Sequence, residues 1–242
     1  MDKRTSTIGE KRTFSIIIPV YRESDTINTC LQSLVKLERV EESEVIIVDG
    51  DDGSTIDHVI KIDYPYSLIS VVSEKGRGQQ LNRGAGVASG RNLVFLHVDT
   101  SMPLNALSLI EESLKNYAAG SFSLGIDSKR LFLRLGNLLA NIRSNISRIP
   151  FGDQVYFIRS DVFFCIGGYR NIPIMEDVAF MLDLKKRGIE IHIQKEKIIT
   201  SDRRWKKEGM VKATIRNWFL YASYRIGVPV EKLSSRYIPH AD

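Results

Sequence analysis

The sequence predicts an α/β fold in which helices flank a mixed, mostly parallel central sheet. Short buried runs rich in β-branched residues alternate with segments of helical spacing through most of the first half of the chain. Such alternation is typical of parallel strands joined by right-handed crossovers. The 242 residues are 43% hydrophobic and 26% charged, which excludes disordered, collagen-like and disulfide-scaffold classes.

The first predicted strand is the run FSIIIPV at 14–20, whose continuous apolar pattern indicates burial on both faces. Ser24 and Asp25 offer an N-cap for the helix that follows. The remaining strands are expected at 44–48, 68–73, 93–98, 121–126, 154–159 and 189–193. The remaining helices are expected at 78–89, 105–117, 131–147, 175–187 and 210–227.

A single domain over 1–242 is the simplest organisation, because no internal repeat or linker interrupts the pattern. A nucleotide-binding half is predicted at 14–100 and an acceptor and catalytic half at 101–205. A basic amphipathic helix and tail are predicted at 206–242.

The expected location is the cytoplasm. Cys30 and Cys165 lack metal-site spacing and are predicted to be buried thiols in a reducing compartment. The charged first 13 residues have no apolar region of the signal-peptide kind. No apolar run reaches the roughly 18 residues that cross a bilayer.

The net charge is +5, from 34 Lys and Arg against 29 Asp and Glu. It suits phosphate-bearing ligands, nucleic acid or an anionic membrane surface, and equally an ordinary solvated surface. The segment 202–216 carries six basic and two acidic side chains, with aromatic residues after it. This segment either lies on the inner face of a membrane or packs its aromatics on the core. The helix at 131–147 is open to the same two interpretations.

Carboxylates follow the predicted strands, where α/β proteins place their ligands. Asp49 and Asp51 lie among glycines and could accept hydrogen bonds from a ribose or base, although Asp and Gly also form ordinary turns. His97 and Asp99 close the fourth strand and are expected on the same side of the extended chain. They predict either a divalent-metal site or a simple hydrogen-bonded pair.

Glu176 and Asp177 come at the start of a predicted helix. They either complement the helix dipole or supply a general base. The basic loop at 75–85 has glycines before a helix and suits anions. It is not a P-loop, and no GxGxxG or GxSxG pattern occurs, which argues against kinases, dinucleotide dehydrogenases and serine hydrolases.

Taken together, the motifs resemble the family 2 glycosyltransferases of the GT-A fold, from residue 14 to about 218. The basic loop and the SDRRW segment at 201–205 resemble one branch of that family, the arsenosugar-biosynthesis-like transferases. The motifs that carry the family resemblance are SIIIPVYRE (15–23), VDGDDGST (48–55), LHVDT (96–100), GDQVYFIR (152–159), GGY (167–169) and MEDV (175–178).

The resemblance implies a role for each matching residue. Asp177, with Glu176 beside it, is implied as the catalytic base. Asp99, preceded by His97 where the family's motif has an acid, is implied to hold Mg²⁺ or Mn²⁺ against the donor diphosphate. The residues implied to contact the nucleotide, the diphosphate or the acceptor are Pro19, Tyr21, Glu23, Asp49, Asp51, Arg77, Asn82, Arg203, Arg204 and Trp205.

The implied reaction moves a sugar from a nucleotide-diphospho-sugar donor to an acceptor hydroxyl, with inversion. The acceptor is not defined, and a lipid-linked one is expected if a helix contacts membrane. Three alternatives remain: a nucleotide-sugar-binding protein with little turnover, a nucleotidyltransferase, and a nucleic-acid or membrane-surface binding module. No nucleic-acid partner is expected, because clustered carboxylates repel phosphates.

Overall fold

The computed structural model describes residues 12–126, 131–200 and 210–235. Its strands are β1 (Phe14–Val20), β2 (Ser43–Asp49), β3 (Ser67–Val72), β4 (Asn92–Phe95), β5 (Thr100–Ser101), β6 (Ala119–Ile126), β7 (Tyr156–Arg159) and β8 (Ile191–Thr200). Its helices are α1 (Ser24–Leu34), α2 (Arg77–Val87), α3 (Ala106–Asn116), α4 (Leu131–Ser147), α5 (Ser160–Ile166), α6 (Glu176–Lys186), α7 (Met210–Arg225) and α8 (Val230–Ser234).

The described strands form one eight-stranded sheet in the order β3-β2-β1-β4-β7-β6-β8-β5. Strands β3, β2, β1 and β4 are parallel to one another. Strand β7 then runs antiparallel between β4 and β6, and β8 returns parallel to β6. This arrangement confirms the predicted mixed, mostly parallel sheet flanked by helices.

A hydrophobic core covers each face of the sheet, which is why β1 is apolar at successive positions. Ile16 and Ile18 pack on the face that also holds α1 and α3. Ile17, between them, packs on the opposite face with residues of α2, α5 and α6. All three are fully buried, as the sequence predicts for a strand covered on both sides.

One buried side chain bridges the carboxyl ends of the paired strands β1 and β2. Nε2 of Gln80 donates to the carbonyl oxygen of Val20 at 2.7 Å and to that of Val48 at 2.9 Å. Gln80 belongs to α2, so these bonds also fix the start of that helix over the sheet edge. The edge where ligands bind in open α/β sheets is thereby joined to α2.

The structure corrects three predictions from the sequence. The fourth strand ends at Phe95, so His97 and Asp99 lie on the following loop and not on one side of an extended strand. The last strand continues to Thr200, because it pairs along the whole length of β6. Cys30 is buried as predicted, but Cys165 is exposed, since α5 turns Phe163 towards the core and Cys165 away.

Groups of several exposed apolar side chains occur on α4 and α7. On α4 they are Leu138, Leu139, Ile142 and Ile146, and on α7 they are Ile215, Trp218 and Phe219. Leu220 of α7 is buried, so this helix both packs on the core and presents an apolar face. Within the described ranges, every helix is too short or too polar to cross a bilayer.

Candidate active site

Four side chains that the sequence singled out line one cleft at the carboxyl end of the sheet. They are Pro19 of β1, Arg77 of α2, His97 of the loop after β4, and Asp177 of α6. The cleft lies between β1 and β4, where the strand order reverses, and ligands of open α/β sheets bind at such points. The rest of its wall is formed by Leu81, Phe95, Leu96, Gly152, Tyr156 and Tyr169.

Asp177 lies in the first turn of α6, and backbone groups fix its carboxylate. Oδ2 accepts a hydrogen bond from the N–H of Gly152 at 2.7 Å, and Oδ1 accepts one from the N–H of Val178 at 2.7 Å. Met175, just before the helix, has a left-handed φ of 64°, so the chain turns sharply into α6. The carboxylate is therefore held in one orientation at the cleft wall.

Glu176, the residue beside it, is in a different environment. Its side chain is buried, and its Oε1 lies 3.5 Å from Nε of Arg77. Burial and, after it, the negative charge of Asp177 raise the pKa of Glu176, whereas the positive charge of Arg77 lowers it, and the net result is a pKa of about 7. Glu176 therefore binds a proton near neutral pH.

Arg77 lies beside Glu176 because α2 and α6 approach closely. A Cβ atom at Gly78 would lie 3.5 Å from Cβ of Glu176 and 2.7 Å from a facing backbone oxygen, so only glycine permits this contact. A Cβ atom at Gly152 would lie 3.4 Å from Nη2 of Arg77 and 3.1 Å from Oδ2 of Asp177. A guanidinium suited to phosphate and a fixed carboxylate thus converge on one glycine.

Asp49 ends β2 and is fully buried, and its carboxylate organises the loop that follows. Oδ1 accepts a hydrogen bond from the N–H of Asp51 at 2.9 Å. Oδ2 accepts from the N–H of Thr55 at 2.7 Å and of Ile56 at 3.1 Å. Both carboxylate oxygens of Asp49 therefore hold the loop backbone, and the accessible acids of the segment are Asp51, which is partly exposed, and Asp52, which is exposed.

Asp51 is bonded to two neighbouring side chains. Ser54 Oγ donates to its Oδ2 at 3.0 Å, and Nε of Arg22 lies 3.2 Å from the same oxygen. The Ser54 hydroxyl and the Arg22 guanidinium lower the pKa of Asp51. The carboxylate is therefore charged at neutral pH, and it lies on the loop that follows the carboxyl end of β2.

Tyr21 and Glu23 follow β1 along this edge. Nζ of Lys75 donates to the Tyr21 hydroxyl at 3.1 Å and lies 4.2 Å from the centre of its ring. Glu23 accepts a hydrogen bond from the hydroxyl of Thr26, and its own N–H donates to Oγ1 of Thr55 at 3.1 Å. The loops after β1 and β2 are therefore joined, with an aromatic ring and a cation on their outer side.

His97 and Asp99 lie on the loop between β4 and β5. His97 lines the cleft, and Asp99 is partly exposed, with the Thr100 hydroxyl 3.5 Å from its Oδ1. In the parts of the chain that are described, no three His, Cys, Asp or Glu side chains form a ready-made metal centre. The carboxylate of Asp99 is the type of ligand that Mg²⁺ and Mn²⁺ prefer, and such ions commonly take further ligands from substrate phosphates.

Asn82 is engaged with another backbone segment. Its Nδ2 donates to the carbonyl oxygen of Tyr169 at 2.8 Å, and its Oδ1 accepts from the N–H of Tyr169 at 2.9 Å. Asn82 thus pairs with the backbone as a neighbouring strand would. It is not among the residues that line the cleft. Arg203, Arg204 and Trp205 lie outside the described residues.

Two contributors to the site were not identified from the sequence. Gly152 supplies the backbone N–H that fixes Asp177, and Gln80 joins the ends of β1 and β2. Both belong to segments that the sequence analysis singled out, GDQVYFIR at 152–159 and the basic loop at 75–85. No sequence pattern, however, shows that a residue will donate through its backbone or bury a side-chain amide. The one signal in the sequence that could have indicated Gly152 is its position directly before an acid, Asp153.

Comparison with known proteins finds glycosyltransferases. Poly-beta-1,6-N-acetyl-D-glucosamine synthase of Staphylococcus epidermidis is 28% identical over 110 residues, which are 44% of this chain and 27% of that protein. The uncharacterized glycosyltransferase YibD of Escherichia coli K12 is 33% identical over 91 residues, which are 35% of this chain and 25% of that one. The chain spans about a quarter of the length of these curated relatives.

Solved structures agree in fold. The mannosyltransferase PcManGT of Pyrobaculum calidifontis, in complex with GDP-Man and Mn²⁺, superposes with a TM-score of 0.68 at 17% identity, covering 90% of this chain and 65% of that one. S. aureus TarS 1–349 with UDP-GlcNAc gives a TM-score of 0.63 at 17% identity, covering 79% and 59%. The architecture is therefore that of GT-A glycosyltransferases.

The family assignment rests on a match over most of the fold. The model of Glycosyl transferase family 2 matches residues 15–172, which is more than half of the chain. The matched region contains β1 to β7 and every described residue of the cleft wall except Asp177. The chain belongs to glycosyl transferase family 2.

Proposed function

We propose that this glycosyltransferase inverts the anomeric carbon in a single displacement, with Asp177 as the general base. The observation that carries the proposal is the fixed carboxylate of Asp177 at the wall of the cleft, held by the N–H groups of Gly152 and Val178. A base must be positioned within hydrogen-bond reach of the proton it takes. A carboxylate held by two backbone bonds meets that requirement.

In the proposed reaction, the acceptor oxygen bonds to the anomeric carbon while the bond from that carbon to the diphosphate oxygen breaks. The acceptor hydroxyl has a pKa far above 7, so it loses its proton to Asp177 as it attacks. The electron pair of the broken bond leaves with the nucleoside diphosphate. Attack from the face opposite the leaving group gives inversion.

Glu176 is the rival for the role of base, because its pKa is raised to about 7 by burial. We assign the proton transfer to Asp177, which lines the cleft, whereas Glu176 is buried against Arg77. Glu176 is then a positioning residue. It holds the guanidinium of Arg77 beside the place where the leaving diphosphate gains charge.

The leaving group requires positive charge. Arg77 supplies part of it, and Asp99 with His97 would hold Mg²⁺ or Mn²⁺ together with the donor phosphates. When bound, such an ion stabilises the negative charge of the departing diphosphate. Arg203, Arg204 and Trp205 are proposed to face the diphosphate and the acceptor, as the sequence resemblance implies.

The donor is proposed to be a nucleotide-diphospho-sugar, the class that GDP-Man and UDP-GlcNAc represent in the two structural neighbours. Tyr21, Glu23 and Asp51 form the outer wall where the nucleoside would lie, since they follow the carboxyl ends of β1 and β2. We also propose that the protein belongs to the arsenosugar-biosynthesis-like branch of the family. It is further proposed to lie in the cytoplasm, with α4 and α7 in contact with a membrane surface.

The test is donor turnover. UDP-GlcNAc and GDP-mannose are incubated with the protein and Mn²⁺, and released nucleoside diphosphate is measured, water serving as acceptor. Asp177→Asn is expected to lower the rate by on the order of a hundredfold or more, because a positioned base contributes roughly that much. Asp63→Asn, an exposed acid, is the matched control and keeps the wild-type rate.

Undiminished turnover in a folded Asp177→Asn protein would refute the assignment of the base. If the wild-type protein binds the donor but releases no nucleoside diphosphate, the result favours the alternative that this is a nucleotide-sugar-binding protein with little turnover. A thermal shift on addition of nucleoside diphosphate reports that binding, since a ligand of the folded state raises its stability by mass action.

A further inference from the structure

A groove of about 360 Å³ lies between α4 and α7, outside the cleft of the catalytic carboxylate. Leu139 and Ala140 of α4 form one wall, and Ile215 and Trp218 of α7 form the other. Leu139 and Ile215 are 51% and 63% exposed, although both are aliphatic. An apolar surface left open in this way commonly marks a binding site.

The groove continues onto an apolar stripe of α4. Leu138, Ile142 and Ile146 follow one another at four-residue intervals, so they share a face of the helix. All three are exposed, and Ile146 is 81% exposed. Among the described residues the apolar surface is therefore elongated, a shape that suits a flexible chain better than a compact ring system.

Part of the groove lies next to the catalytic cleft. Phe151 lines the groove, and the next residue, Gly152, lines the cleft and bonds Asp177. Arg143 marks this junction, with its guanidinium carbon 3.6 Å above the Phe151 ring. Its Nη1 donates to the carbonyl oxygen of Ile149 at 2.8 Å. The surface thus changes from apolar to charged beside Phe151, the residue before the one that bonds Asp177.

We infer that this groove binds the hydrocarbon chain of a lipid acceptor, whose polar head lies at Arg143 and whose hydroxyl faces Asp177. The inference rests on the proposed function, because it takes the acceptor side of the cleft from the position of Asp177. Two observations on the molecule select this occupant. The apolar groove lies next to the catalytic cleft, since the consecutive residues Phe151 and Gly152 line the one and the other, and a partly buried cation, Arg143, lines the groove beside them.

A chain-length series tests the inference. Octyl, decyl and dodecyl phosphate are titrated into the full-length protein below their critical micelle concentrations, and affinity is measured by calorimetry. Each added methylene is expected to tighten binding by up to about fourfold, the factor for complete burial of one CH₂ group. An affinity that does not change with chain length would overturn the inference.

Variants locate the binding. Leu139→Asn is expected to weaken dodecyl phosphate binding by about tenfold, because it places an amide against the chain. Ile215→Asn, on the opposite wall, has the same expected effect and replaces it if the first variant does not fold. Leu104→Asn is the matched control, since Leu104 is 58% exposed and lies outside the groove, and it should bind as the wild type does. Equal weakening in all three would overturn the inference.

Vesicles of phosphatidylglycerol distinguish a chain-binding groove from a membrane-docking face. Binding to vesicles without binding of monomeric dodecyl phosphate would overturn the inference in favour of docking on the bilayer. Release of nucleoside diphosphate from the donor, measured without any alkyl phosphate, tests the proposed function separately. If the protein releases nucleoside diphosphate but its affinity for alkyl phosphates does not change with chain length, the inference about the groove is refuted and the proposed function is not.

Discussion

The backbone N–H of Gly152 donates a hydrogen bond of 2.7 Å to Oδ2 of Asp177, across 25 residues of sequence. This bond joins the short turn before β7 to the start of α6. A carboxylate fixed by the backbone loses little freedom when substrate binds, which favours a reactive geometry. The position of Gly152 is therefore expected to affect the reaction more than the fold.

Gly152→Ala should lower turnover with little change in stability. The added Cβ would lie 3.1 Å from Oδ2 of Asp177, so this carboxylate must move by a few tenths of an ångström, whereas Nη2 of Arg77, at 3.4 Å, would be in ordinary contact. A displacement of this kind is expected to reduce the rate of diphosphate release by on the order of tenfold. The measurement is donor turnover beside urea unfolding of the same protein.

Gly86→Ala is the control for Gly152→Ala. Gly86 lies in α2 with no atom within 4 Å of its added Cβ. Alanine there should keep the wild-type rate and raise the free energy of unfolding by about 0.5–1 kcal/mol, because it favours the helix and restricts the unfolded chain. Equal rates for the two alanine variants would show that the Gly152 contact does not position Asp177.

Glu176 makes stability depend on pH. Its folded-state pKa is raised from 4.5 to about 7, so the charged form is disfavoured by folding. The unfolded chain then releases this proton at lower pH than the folded chain does, and stability falls as pH rises from about 4.5 to about 7. A shift of this size corresponds to a loss on the order of 3 kcal/mol.

Glu176→Gln should remove this part of the pH dependence, because its amide does not titrate. Urea unfolding at pH 5 and pH 8 measures the loss in the wild type and in the variant. Glu38→Gln, an exposed position, is the control and should retain the wild-type loss. If Glu176→Gln loses as much stability between the two pH values as the wild type does, the raised pKa is refuted.

The sequence predicted the fold best where a local pattern decides it. The β-branched run at 14–20 is a strand over its full predicted length, and its burial on both faces is confirmed. The antiparallel insertion of β7 between β4 and β6 had no such signal. Strand partners are chosen by packing across the whole sheet, and α5 directly after β7 was also not predicted.

The site shows the same division. The motifs led to Pro19, Arg77, His97 and Asp177, and these four line one cleft. The motifs did not distinguish side chains that face the cleft from side chains that support a loop. Asp49 looks like a ligand-binding acid in the sequence, yet its oxygens bond three backbone N–H groups of its own loop. That distinction depends on the loop conformation, which no residue pattern specifies.

Asn82 allows the two kinds of role to be told apart by experiment. The sequence resemblance implies contact with the nucleotide, whereas the structure pairs its amide with both backbone groups of Tyr169. Asn82→Ala leaves those partly buried groups without their partner and should lower the free energy of unfolding by about 1–3 kcal/mol.

The measurements are urea unfolding and the KM for the donor in each variant. Gln79→Ala is the control, because Gln79 makes one exposed bond to Asn171 and its loss should change stability by less than about 0.5 kcal/mol. If Asn82→Ala is as stable as the wild type and its donor KM rises, Asn82 contacts the nucleotide. If stability falls and KM is retained, Asn82 supports the turn at 167–169 that completes the cleft wall through Tyr169.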